Sequence, residues 1–160
     1  MLYSSAARCC SVPWPRSVVA FEPFSKLLCF ANDPQKQTIK ATIITDDDRC
    51  SDKSDETLYI SKELDFDCSE AELINVVTKL ANGTSCDRCN KIVELCSDAH
   101  INIFTAPKTL EYALSFCETN IPYILGAIID VYPRLGKTLF EKVEQINEID
   151  KKAACIWLFM

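Results

Sequence analysis

Apolar positions in this chain recur at helical spacing through its second half and follow no single period through its first. Leu73, Val76, Val77 and Leu80 fall on one stripe, the spacing of an amphipathic helix. Ser69 with Glu72 three residues on fits a capping box ahead of that stripe, and Gly83 closes it. The pattern predicts a short helix over 68–83. Past Cys86 the helical period continues almost to the end. Ile92, Val93, Cys96 and Ala99 line a first helix, and Pro107 opens a second with Leu110, Ala113, Leu114 and Cys117 on its buried side. Ile121, Leu125, Ile128, Ile129 and Tyr132 carry a third. Pro133 should break it, because proline lacks the helical N–H and clashes with the preceding turn. Leu135, Leu139, Phe140, Val143 and Ile146 continue beyond the break, and a last helix runs from about Ile149 through Cys155 to the terminus.

Upstream the pattern weakens. Pro13, Pro15, Pro23 and Pro34 forbid a long helix. Thr38–Thr45 alternates briefly and Thr57–Ile60 favours extended backbone, so a short hairpin is expected there. The run Asp46–Asp48 reads as a solvated linker. Residues 1–67 are therefore expected to be an irregular or disordered leader, ahead of the 68–83 helix and a helical domain over 84–160.

A chain of 160 residues with 48% hydrophobic residues can bury a core. Its net charge of −6 excludes a nucleic-acid binder, which needs a basic surface. Ten cysteines point to disulfides or metal. With His100 the only histidine and Cys86-Asp-Arg-Cys89 the only C-x-x-C, a zinc site lacks ligands, so neither metal nor cofactor is expected. Asn82-Gly-Thr84 is a glycosylation sequon. Sequon and cysteines together indicate a secreted or lysosomal protein. Val18–Phe21 and Leu27–Ala31 are too short for a clean signal peptide, which suggests an imperfect N-terminus, and no stretch reaches membrane-spanning length. Catalysis has little footing. A thiol redox site at Cys86 and Cys89 needs a preceding strand and a βαβ setting, and the pattern offers neither. The single histidine and the lack of a nucleophile elbow disfavour serine hydrolysis.

A helical unit this small commonly needs staples. In this respect residues 84–160 resemble the saposin-like (saposin B-type) family, in which C-x-x-C opens the first helix and cysteines close the last. Cys86 and Cys89 match the opening pair, Cys117 the middle cysteine and Cys155 the inner closing one. Ile128–Tyr132 followed by Leu139–Val143 resembles the third and fourth helices. The resemblance implies an all-α, disulfide-stapled five-helix leaf. It pairs Cys89 with Cys155, a bond contributing about 4 kcal/mol in the chain-entropy estimate. The partner of Cys86 would fall one residue past Met160, which suggests a C-terminally truncated fragment, and Cys96 is the substitute partner for Cys117.

The same resemblance implies a non-enzymatic lipid-binding protein whose partner is a lipid or membrane surface, with a homodimer left open. Ile124, Leu125, Ile128, Leu135, Leu139, Phe140, Ile156, Trp157 and Phe159 are the expected lipid contacts, against the plain reading that such residues are core. A membrane-disrupting antimicrobial effector of the same fold is the alternative, and a thiol redox protein the remote one. The −2 balance of residues 86–160, 8 bases against 10 acids, mildly favours the lipid binder. Protonation of Glu111, Glu118, Glu141, Glu144 and Glu148 at lysosome-like pH would leave Lys137, Lys142, Lys151 and Lys152 to attract anionic headgroups.

Overall fold

The computed structural model describes residues 41–51, 53–61, 63–96 and 101–160. The expectations for the proline-rich leader, for Cys9, Cys10 and Cys29, and for Ala99 and His100 lie outside them. The described residues are mostly helical, with one two-stranded parallel sheet. In order come β1 (Ala41–Asp46), α1 (Glu70–Asn82), α2 (Asp87–Cys96), β2 (Ile101–Ala106), α3 (Leu110–Leu114), a 3-10 turn (Glu118–Asn120), α4 (Ile121–Val131), α5 (Pro133–Gln145) and α6 (Ile149–Phe159).

The capping box forms as the sequence predicts. The Ser69 hydroxyl accepts from the Glu72 N–H at 3.3 Å, and the Glu72 carboxylate accepts from the Ser69 N–H at 2.8 Å. Two N–H groups without helical partners are satisfied, and α1 starts there. Its stripe of Leu73, Val76 and Leu80 is buried. Gly83 ends the helix with ordinary extended backbone, and its lack of a side chain serves close approach. A Cβ there would lie 2.6 Å from the Cys50 Sγ and 3.1 Å from the Lys79 carbonyl oxygen.

The break at Pro133 also holds. Tyr132 leaves helical geometry between α4 and α5, and Pro133 takes the first position of α5, where a missing N–H costs nothing. Gly136 lets the two helices close on each other: an added Cβ would stand 2.8 Å from the Ile129 Cα. Leu125 and Leu139 are buried where the helices meet.

At the hub lies α6, packed against α1, α3 and α5. Ala153, Ala154, Cys155 and Ile156 are fully enclosed, and the small alanines admit neighbouring backbones. Aromatic edges surround its end, with Phe159 5.2 Å from Phe66 and 6.0 Å from Tyr132 between ring centroids.

Three expectations are corrected. The alternation near Thr45 makes β1, but its partner is β2, in parallel register from Ala41 with Ile101 to Asp46 with Ala106. Thr57–Ile60 is turn and coil instead of the second arm of a hairpin, and the Ile60 N–H donates to the Cys50 carbonyl at 3.2 Å. Residues 41–46 thus belong to the body and not to an irregular leader. Five α-helices follow Cys86 among the described residues, as expected, and the small β1–β2 sheet is an addition to that mostly helical fold. Finally, α3 buries Tyr112 and not Leu110 or Leu114, both of which are exposed. Its inward side carries the Tyr112 ring, edge-on to Trp157 at 6.4 Å.

Candidate functional site

The expected lipid contacts separate into three groups. Leu125, Leu139 and Ile156 are fully buried core. Ile124, Ile128, Trp157 and Phe159 are partly buried against that core. Only Leu135 and Phe140 stand on the surface. For the buried three the plain reading holds, because they fill the space where α1, α4, α5 and α6 meet.

Exposed apolar side chains do exist on α4 and α5, three of them at the junction of the two helices. Tyr123 is 80% exposed, Val131 66%, and Tyr132 and Leu135 55% each. Tyr123 and Val131 lie near the two ends of α4. Sequence reasoning missed both, since helical periodicity assigns apolar residues inward by default. The signal for an outward face was the apolarity of Ile121–Val131, a stretch whose only charge is Asp130. Arg134 and Lys137 follow, so this end of an acidic chain carries one acid and two bases between Ile121 and Phe140. Among the described residues, no helix is long and apolar enough to cross a membrane.

The expected staples are not made. Cys50, Cys68, Cys86, Cys89, Cys117 and Cys155 are free thiols. Cys89 is buried on α2, which packs against β2, whereas Cys155 is buried in α6 among other helices. The Cys155 Sγ faces the Phe66 carbonyl at 3.7 Å, and burial pushes its thiol up to about 11. Cys117 is exposed and pairs with the Thr119 hydroxyl at 3.1 Å, while Cys96 is buried on α2, so the substitute pairing of those two is not made either.

A second cluster gathers where β1 ends. Asp47 is fully buried. Its carboxylate accepts from the Arg49 Nε at 2.7 Å, the Arg49 N–H at 3.1 Å and the Ser85 hydroxyl at 3.1 Å. Its carbonyl accepts from the Cys86 N–H at 3.1 Å. The turn that makes this possible holds Asp48 at φ 52° and Cys50 at φ 59°, left-handed backbone that costs a non-glycine residue about 1 kcal/mol. Lys108 is buried and bridges inward, donating to the Arg49 carbonyl and the Ser51 hydroxyl at 2.5 Å each, with its Nζ 5.4 Å from the Trp157 ring centre. Burial pulls its ammonium below the usual range. Burial also raises the Asp46 carboxyl, against the opposing Leu110 N–H. An open cavity of about 440 Å³ lies against the cluster, lined by Asp48, Cys50, Asp55, Ser85, Cys86 and Arg88 among others. The sequence offered these residues only as an acidic linker and a lone C-x-x-C. Among the described residues, no group of three or more metal-binding side chains is gathered.

No family model, curated protein or solved structure matches the chain.

Proposed function

We propose that this chain engages lipid surfaces by binding alone, with no chemistry on the lipid, through the apolar face at the α4–α5 junction. The observation that carries the reading is the exposure of Tyr123, Val131, Tyr132 and Leu135 on one helical hairpin. Removing such area from water contributes about 25 cal/mol per Å². Tyrosines suit the membrane–water boundary, where one end of the ring is apolar and the other wet. Arg134 and Lys137 at the same end supply attraction to anionic headgroups, each worth about 1 kcal/mol near such a surface.

The saposin-like leaf is the finer form of this proposal. Its sulfur clasps are not made among the described cysteines, so the lipid reading rests on the exposed face and not on the clasps. Asn82 is exposed at the end of α1, accessible to a glycan on a secretory route.

Acidity should strengthen binding. Among the five glutamates near the helical half, Glu148 is held below the usual carboxylate range by its hydrogen bond from Lys151. It stays charged to lower pH than an ordinary glutamate does. Co-sedimentation with phosphatidylserine vesicles is expected to be greater near pH 5 than near pH 7.5. Tyr132→Glu and Leu135→Glu are expected to weaken it by about tenfold or more. Equal binding by these variants, with circular dichroism unchanged, would refute the reading. Release of a trapped dye would instead indicate membrane disruption, which the −6 net charge disfavours.

A further inference from the structure

The fold brings a strand end and a parallel partner strand beside the C-x-x-C, with α1 between β1 and Cys86 in the chain. Cys86 sits where β1 ends, tied to it by the bond from its N–H to the Asp47 carbonyl at 3.1 Å. It also opens α2, since its own carbonyl accepts the Asn90 N–H at 3.0 Å. The chain then runs through α2 into β2, parallel to β1. A C-x-x-C pair therefore stands at the start of a helix, beside the carboxyl end of a parallel strand. Such ends are where parallel sheets commonly place reactive groups.

The two sulfurs are not equivalent. Cys86 is half-buried and lines the open cavity. Cys89, one turn further, is buried. Burial first, then the neighbouring Cys86 thiol and the Asp47 and Asp48 carboxylates, push its thiol up to about 11. One sulfur can meet a partner from outside, and the other stays protonated behind it. The left-handed residues Asp48 and Cys50 border the same cavity, and backbone held in sparsely populated conformations clusters at working sites.

We propose that Cys86 and Cys89 form a dithiol–disulfide exchange centre acting on an exposed disulfide of a second molecule, with Cys86 attacking and Cys89 resolving. In the first step the Cys86 thiolate attacks one sulfur of the substrate disulfide. A Cys86–substrate bond forms, the substrate S–S bond breaks, and the first substrate thiolate leaves. In the second step Cys89 attacks the Cys86 sulfur, its proton passing to a departing thiolate. The Cys86–Cys89 bond forms and the second substrate sulfur is freed. Two electrons have moved from the pair to the substrate, and a low-molecular-weight thiol returns the pair to its reduced form. This centre shares no residue with the lipid-facing hairpin, so either can fail alone.

The test uses the full chain and glutathione disulfide as probe. Oxidised protein, alkylated and mapped by mass spectrometry without reduction, is expected to contain a Cys86–Cys89 bond. A Cys50–Cys86 or Cys89–Cys155 bond in its place would overturn the proposal, the latter restoring the helical staple. Cys86→Ser is expected to slow glutathione release by about tenfold or more. Cys89→Ser is expected to accumulate a glutathione adduct on Cys86, and Cys117→Ser, exposed and outside the cavity lining, to leave the rate unchanged. Unchanged exchange in Cys86→Ser, or no adduct in Cys89→Ser, would also overturn it. Mapping of the unmutated chain decides the matter if the buried Cys89→Ser variant does not fold.

Discussion

The Asp47 carboxylate is fully enclosed, and its charge is met by the Arg49 guanidinium 2.7 Å away, from a residue only two positions along the chain. The pair folds the turn after β1 back on itself and positions the Cys86 N–H. Removing one partner from a buried ion pair is more damaging than removing both, because the survivor keeps an unmet charge. Arg49 is partly exposed and can turn to water; Asp47 cannot. Arg49→Met is therefore expected to cost about 3 kcal/mol in urea unfolding, and the double variant Asp47→Leu/Arg49→Met less than the single one.

Two glycines of the α4–α5 hairpin should respond in opposite directions to the same change. Gly126 has nothing within 4 Å of where a Cβ would stand, and Gly136 would meet the Ile129 backbone at 2.8 Å. Gly126→Ala is expected to stabilise by up to about 1 kcal/mol through helix propensity. Gly136→Ala is expected to destabilise by about 1–3 kcal/mol, since backbone gives way poorly. Thermal midpoints of the two variants check this. Midpoints moving in the same direction would contradict the close crossing at Gly136.

Alkali should unfold the chain through its buried protonated groups. Cys89 and Cys155 are each raised from 9.0 to about 11, and Tyr112 from 10.0 to about 12, all three chiefly by burial. The unfolded chain then loses these protons first. Their contribution is whole below about pH 9 and declines as pH rises through 11 and 12. Unfolding midpoints are expected to fall across that window. Cys89→Ala and Cys155→Ala should flatten the decline, which a pH series of urea titrations would reveal.

Local signals in the sequence were strong where the cause is local. The Ser69–Glu72 box, the stripe of α1, the break at Pro133 and the span of α6 each depend on residues within a turn or two, and each stands where the pattern predicts it. The sheet was illegible for the opposite reason. Ile101–Ala106 carries β-branched and aromatic residues, but it lies amid helical spacing, and a parallel partner is distant in sequence and leaves no turn signature. Cysteine spacing led toward a clasp from Cys89 to Cys155, and spacing alone does not report that a strand comes between. On α3, the pair Leu110 and Leu114 outweighed Tyr112 by count, yet the ring faces inward because Trp157 and Phe116 are there to meet it. For the candidate sites, Leu135 and Phe140 were named among nine expected lipid contacts with nothing to set them apart from the buried ones, and Tyr123, Val131 and the environment of Asp47 required the tertiary arrangement.

Because Ala41 pairs with Ile101 and not with a neighbour in a hairpin, the order of synthesis matters. During translation β1 emerges first and must wait while α1 and α2 are made before its mate exists. For that interval its N–H and C=O groups are an unclaimed edge, open to another nascent chain. The outward Ile44 adds an apolar invitation. Crowded polysomes are therefore a setting in which this strand would meet the wrong partner.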